Sequence, residues 1–168
     1  MNMFFKVWFV AAILTIVLAT LCSGNETPSE QCPGNSFEGL RDRIQVQPCS
    51  SPRCKLRRNT NVTVIMRFTP EKEVLTLNNR VFANIEGIEV PFIGVDGTDA
   101  CQHVKRVDTD EYVSCPLPAG HDYIYTNVFS ILPVYPILRV RVHWALNDGK
   151  KSLICFEVPA AITAAKKN

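Results

Sequence analysis

The chain has 168 residues, with 18 Lys and Arg against 16 Asp and Glu and a formal charge of +2 at neutral pH. So even a balance excludes a polyanion-binding protein, and no nucleic-acid partner is expected. Apolar residues make up 46% of the chain, enough for one buried core, and the length suits one domain rather than two.

The amino terminus reads as an export signal. Lys6 supplies a positive start, and Val7 to Leu21 is apolar except at Thr15 and Thr20. Small residues follow at Ser23 and Gly24, and then the polar stretch Asn25 to Gln31. The alternative is a membrane anchor. A spanning helix needs about 20 apolar residues, and this run has 15. Cleavage near Gly24 predicts a signal peptide at 1–24 and a domain at 25–168. The expected destination is secreted or extracellular, with the endolysosomal lumen as the variant.

Cysteine usage agrees with export. Cys22 falls in the signal, leaving Cys32, Cys49, Cys54, Cys101, Cys115 and Cys155, an even set suited to an oxidising compartment. Spacing alone does not choose among their pairings. Two glycosylation sequons, at Asn25 and Asn61, fit the same route, and Asn61 is the stronger because Asn25 sits close to the new terminus.

In chain order, the first clear element is Asn61 to Thr69. Val62, Val64, Met66 and Phe68 share one face, with Thr63, Arg67 and Thr69 on the other. Such alternation marks a half-buried antiparallel strand. Shorter stretches rich in β-branched or aromatic residues predict strands at Lys72 to Leu77, Val81 to Ile85, Asp122 to Phe129 and Leu153 to Val158. Between Ile137 and Leu146, Leu138, Val140, Val142, Trp144 and Leu146 alternate with Arg139, Arg141 and His143. Turns are predicted at Leu77-Asn78-Asn79-Arg80, Asp96-Gly97 and Pro118-Ala119-Gly120, and Asn147-Asp148-Gly149 reads as a hairpin loop. No amphipathic helix of about ten residues is evident. About seven short strands then give an all-β sandwich or barrel.

Enzyme signals are poor. His143 falls on the wet face of a strand, and His103 and His121 lie in predicted loops. There is no G-x-S-x-G elbow and no spare cysteine to act as a nucleophile. Cys49 to Cys54 has a spacing seen in some zinc sites, but export favours a small disulfide loop. Asp96, Asp99, Asp108, Asp110 and Glu111 lack the alternation of an EF-hand and read as a solvated acidic loop. Lys55, Arg57 and Arg58 form a cluster too small for heparin or nucleic acid, though it could touch an anionic membrane. Neither metal nor cofactor is expected. Two proline-punctuated apolar segments remain, Glu89 to Ile93 and Phe129 to Pro136. They suit either core closure or the walls of a pocket between sheets.

Several segments together resemble the Niemann–Pick type C2 group of the ML (lipid-recognition) domain family. They are Pro48 to Cys54, the sequon at Asn61, Ile85 to Phe92, Cys115-Pro116-Leu117, Tyr135-Pro136, Trp144 and Ser152 to Pro159. The resemblance runs from Cys32 to about Ile162. It implies an immunoglobulin-like sandwich whose sheets part around a hydrophobic ligand, often a sterol. It also implies pairings Cys32–Cys155, Cys49–Cys54 and Cys101–Cys115. The family's ligand-contacting positions fall on Phe92, Ile131 and Tyr135, with Pro136 beside them. One departure stands out: thirteen residues, Gln102 to Ser114, separate Cys101 from Cys115, where vertebrate cholesterol-carrying members have a much shorter loop. The expectation is therefore a monomeric carrier of a sterol or other hydrophobic lipid, making transient contact with a membrane or acceptor protein. The alternatives are a semiochemical carrier and an innate-immune sensor of bacterial lipid.

Overall fold

The computed structural model describes residues 27–49, 52–149 and 151–166. The segment expected to be a signal peptide, with Cys22, and the sequon residue Asn25 lie outside them.

Four long strands carry the alternation that the sequence displays. They are β4 (Asn61–Phe68), β9 (Tyr123–Ser130), β10 (Arg139–Asn147) and β11 (Ser152–Thr163). Around them are seven further strands: β1 (Glu30–Gln31), β2 (Ile44–Gln47), β3 (Cys54–Arg57), β5 (Asn78–Ile85), β6 (Ile88–Pro91), β7 (Val104–Arg106) and β8 (Tyr112–Val113). A four-residue helix, α1 (Leu40–Arg43), precedes β2. The strands form one sheet in the order β1-β11-β10-β5-β6, with β3 also on β11, and a second in the order β2-β4-β9-β7-β8. All pairings are antiparallel except β3 with β11. This is the expected immunoglobulin-like sandwich, but with eleven strands among the described residues rather than about seven.

The core lies between the two sheets. From one side come Val62, Val64, Met66 and Phe68 with Tyr123, Tyr125 and Phe129; from the other come Val140, Val142, Trp144 and Leu146 with Ile154, Phe156 and Val158. Each set follows from period-two alternation, which puts every second side chain on the inner face.

Three expectations need correction. Lys72 to Leu77 is not a strand: only Val74 pairs, in a single bridge to Leu117. This segment carries the chain from β4 in one sheet to β5 in the other, so it cannot ladder with either. Asn78 to Arg80 is not a turn but the start of β5, because the Asn79 side chain finds its partners inside the sandwich. His143 does not sit on a wet face. Its side chain is 16% exposed, its ring stacks on Phe82 at 4.4 Å, and its Nε2 lies 3.3 Å from Cys155 Sγ. Phe82 and the Cys32–Cys155 bridge cover that part of the outer face.

Three disulfides join Cys32 to Cys155, Cys49 to Cys54 and Cys101 to Cys115. The first ties the start of the domain to its last strand. The third closes the long Gln102 to Ser114 insertion, which is no open loop. It begins with a 3-10 turn and folds into the β7–β8 hairpin, extending the second sheet. Four of its charges are paired within it: Lys105 with Asp110 and Arg106 with Asp108. The Arg106 hydrogen bond holds the Asp108 carboxyl below its ordinary range. Asp96 and Asp99 are likewise engaged, accepting from the backbone N–H of Val81 and of Cys101.

Candidate functional site

The β5–β6 hairpin turns on Glu86 and Gly87, both at positive φ (52° and 90°), a two-residue geometry that suits the twist of paired strands. It delivers Pro91 to the sheet edge, and the chain then turns inward at Phe92. Gly94, at φ 77°, reverses the backbone so that Asp96 can return and accept from Val81 N–H at 2.7 Å. Phe92 is thus pinned between a strand end and a tight turn, and it is 3% exposed.

A second segment reaches it from the β9–β10 connection. Ile131 donates its N–H to Thr60 O at 2.9 Å, and its own carbonyl accepts from Asn59 N–H at 2.8 Å. The chain then loops through Pro133 and Val134 and brings Tyr135 back over Phe92. The Tyr135 hydroxyl accepts from the Ile93 N–H at 2.9 Å, joining the two loops. Burial pushes the Tyr135 hydroxyl pKa upward, and the Ile93 N–H bond offsets part of that.

Four aromatic rings meet here edge to face. Phe92 lies 5.4 Å from Tyr135 and 5.9 Å from Phe129, and Phe129 lies 5.1 Å from Trp144. The chain of rings runs from the loops into the sandwich interior. Of the residues that the resemblance picks out, Phe92, Ile131 and Tyr135 are all buried, whereas Pro136 is exposed. Around the loops stands an apolar rim: Ile93 is 63% exposed, Val134 72% and Ile137 58%. Arg58 flanks it, donating to Pro133 O at 2.9 Å.

Next to the rings lies a polar group that the sequence reading missed. Asn79 Oδ1 accepts from the Tyr125 hydroxyl at 2.6 Å and from Trp144 Nε1 at 3.2 Å. Asn79 Nδ2 donates to Thr98 Oγ1 at 3.1 Å, and Asn127 Nδ2 donates to the Tyr125 hydroxyl at 2.8 Å. Burial holds the Tyr125 phenol neutral, far above its ordinary range. One signal was available: Asn127 interrupts the inward series Tyr123, Tyr125, Phe129.

The remaining candidates do not assemble. Cys32, His143 and Cys155 are the only grouping of three metal-type ligands among the described residues, but the two sulfurs are bonded to each other. That leaves a single free donor, too few for a metal site. Asn61 is exposed at the head of β4, its Oδ1 accepting from Ser130 Oγ at 2.8 Å. His121 stands apart from the ring cluster in a loop, whereas His103, on a 3-10 turn, packs its ring edge-on against Tyr125 at 6.1 Å. Among the described residues no helix is long and apolar enough to cross a membrane.

Comparison with known proteins agrees with this architecture. A family profile for the ML domain matches residues 26–162. The chain is 28% identical over 157 residues to the mouse (Mus musculus) NPC intracellular cholesterol transporter 2, spanning 93% of this chain and 99% of that protein. It is 32% identical over 130 residues to the NPC intracellular cholesterol transporter 2 homolog a of Drosophila melanogaster, covering 76% of this chain and 82% of that protein. Its fold resembles the crystal structure of a Niemann-Pick type C2 protein from the Japanese carpenter ant, with a TM-score of 0.60 and 25% identity over 71% of this chain and 89% of that one. The chain therefore belongs to the ML domain family.

Proposed function

We propose that this protein is a non-catalytic carrier that holds a sterol or similarly sized lipid between its two sheets. The observation that carries this reading is the ring chain Phe92, Tyr135, Phe129 and Trp144, leading from an exposed apolar rim into the interior. The relatives named for cholesterol transport support it. Phe92, Ile131 and Tyr135 form the wall that a ligand displaces, and Pro136 shapes the outer lip.

The energetics suffice without any reacting group. Enclosing about 400 Å² of apolar ligand surface at about 25 cal/mol per Å² offers on the order of 10 kcal/mol. Immobilisation and imperfect desolvation reduce it, leaving an affinity of about micromolar or better. The rim of Ile93, Val134 and Ile137, with Arg58 beside it, is the surface that would meet a membrane or acceptor during transfer. In this reading residues 1–24 direct the chain to the secretory route, Asn61 carries a glycan, and the carrier acts as a monomer outside the cell or in the endolysosomal lumen.

The test is titration of the purified protein with a fluorescent sterol, then competition with unlabelled sterols, fatty acids and lipid A. Sterol binding that Phe92→Ala and Tyr135→Ala each weaken about tenfold, with both variants folded, supports the carrier (truncating a buried aromatic contact costs at least about 1.4 kcal/mol). Absence of binding by all three lipid classes refutes it. Preference for lipid A would favour a bacterial-lipid sensor instead.

A further inference from the structure

Cys155 and His143 meet on the outer face of the first sheet, and Glu157 lies directly across the ladder from His143. The His143 Nδ1 is 3.3 Å from Glu157 Oε1. A carboxylate only accepts, so Nδ1 carries the hydrogen, and Nε2 faces Cys155 Sγ, also at 3.3 Å. Phe82 stacks on the ring at 4.4 Å and holds its plane. The other charges around it are Arg141 and Glu30, which pair with each other, and Arg80, which lies over the Phe82 ring. Arg141 also approaches Glu157, at Oε2, to 3.5 Å. Sulfur, imidazole and carboxylate thus follow one another in the order that activates a thiol. Here that thiol is tied into the bridge to Cys32.

The two sulfurs of the bridge are not equivalent. Cys155 lies within β11 and pairs with Ala145 on β10. Cys32 follows β1, an exposed edge strand whose ladder is only two residues long. Both are covered in the closed fold, Cys32 at 2% exposure and Cys155 at 0%. A short edge ladder opens at far lower cost than a central strand, so an incoming nucleophile meets Cys32 first. Cys155 is then the sulfur that leaves, and it is the one that His143 touches.

We infer that the Cys32–Cys155 bridge is a thiol–disulfide exchange site for an external dithiol, which attacks Cys32 while His143, positioned by Glu157, protonates the departing Cys155. In the first step a thiolate of the dithiol bonds to Cys32 Sγ. The bridge breaks, its electron pair stays on Cys155 Sγ, and His143 Nε2 supplies the proton. In the second step the other sulfur of the dithiol displaces Cys32, which takes a proton from water. The dithiol ends oxidised by two electrons to its own disulfide, and two cysteine thiols are formed. The His143 side chain, 16% exposed, regains its proton from solvent.

The test treats the folded protein with dithiothreitol, and timed alkylation with peptide mass spectrometry follows each bridge separately. In His143→Gln, opening of Cys32–Cys155 should slow about tenfold relative to Cys101–Cys115 in the same molecule, since a poorer leaving sulfur departs more slowly. A weakened fold would instead open both bridges faster. The slowing should be greater at about pH 5.5 than at about pH 8.5, because an imidazole holds its second proton only in acid. Equal rates in the two proteins, or a slowing that does not vary with pH, would overturn the inference. Wild type alone gives a second reading. With the monothiol 2-mercaptoethanol, the trapped mixed disulfide should sit on Cys32 and the alkyl group on Cys155. An adduct on Cys155, or one shared evenly between the two, would overturn it as well.

Discussion

Asn79 is a small residue with a large structural burden, and Asn79→Leu tests it. Its Oδ1 is the acceptor for two buried donors, the Tyr125 hydroxyl and Trp144 Nε1. Leucine is close in volume, so the change removes the acceptor without opening a large cavity. Each donor left buried and unpaired costs about 1–3 kcal/mol, and the added apolar contact returns about 1 kcal/mol. The net expected loss is about 3 kcal/mol. Tyr125→Phe is the control. It leaves Asn79 still accepting from Trp144, and it frees an Asn127 donor that is partly exposed and can bond water, so its expected cost is about 1 kcal/mol. Urea unfolding followed by tryptophan emission measures both. In protein beginning at Asn25, Trp144 is the only tryptophan, since the chain's other one is Trp8. Its emission should also shift in Asn79→Leu as the indole loses its acceptor. A cost for Asn79→Leu no greater than that for Tyr125→Phe would refute the network account.

Three further outcomes are expected. Replacing Cys32 and Cys155 together by Ala frees a loop spanning a sequence separation of 123, for which loop entropy gives about 5 kcal/mol. Replacing Cys101 and Cys115, separated by 14, should cost about 3 kcal/mol, and equal unfolding midpoints for the two variants would contradict the ranking. Above about pH 10 the unfolded chain ionises tyrosines freely, whereas burial keeps Tyr125 neutral in the fold. Stability should therefore be intact below that pH and fall as it rises, by about 1.4 kcal/mol per pH unit for this group. Phenolate absorbance from Tyr125 that rises without any loss of structure would argue against burial. Finally, Gly87→Val places a branched residue at φ 90° in the β5–β6 hairpin. It should cost about 2 kcal/mol in thermal or urea unfolding, and a neutral result would mean that the turn is not held as described.

The long strands were legible because they alternate over enough residues for chance to be excluded. Asn61 to Phe68 and Arg139 to Asn147 each bury one face in the order that the sequence shows. Pieces of two to four residues, such as β1, β3 and β8, carry one or two inward side chains and no pattern to read. They exist because a neighbouring strand offers a ladder, which is tertiary information. Polar residues misled for the same reason. Asn79 and His143 look like turn and surface residues by type, yet their partners, Tyr125 and Phe82, arrive from distant parts of the chain. The ring cluster was legible only through the resemblance, because proline-punctuated apolar segments read equally well as core or as pocket.

The strand order has a consequence for how such a molecule is made. β11 is the last strand among the described residues, yet it pairs with β1, β10 and β3 and supplies Cys155 to the disulfide of longest sequence separation. Until it leaves the ribosome, β10 has one flank bare, β3 has no partner in its sheet and Cys32 has no Cys155 to join. The first sheet and the bridge from Cys32 are therefore complete only once this final strand is in place.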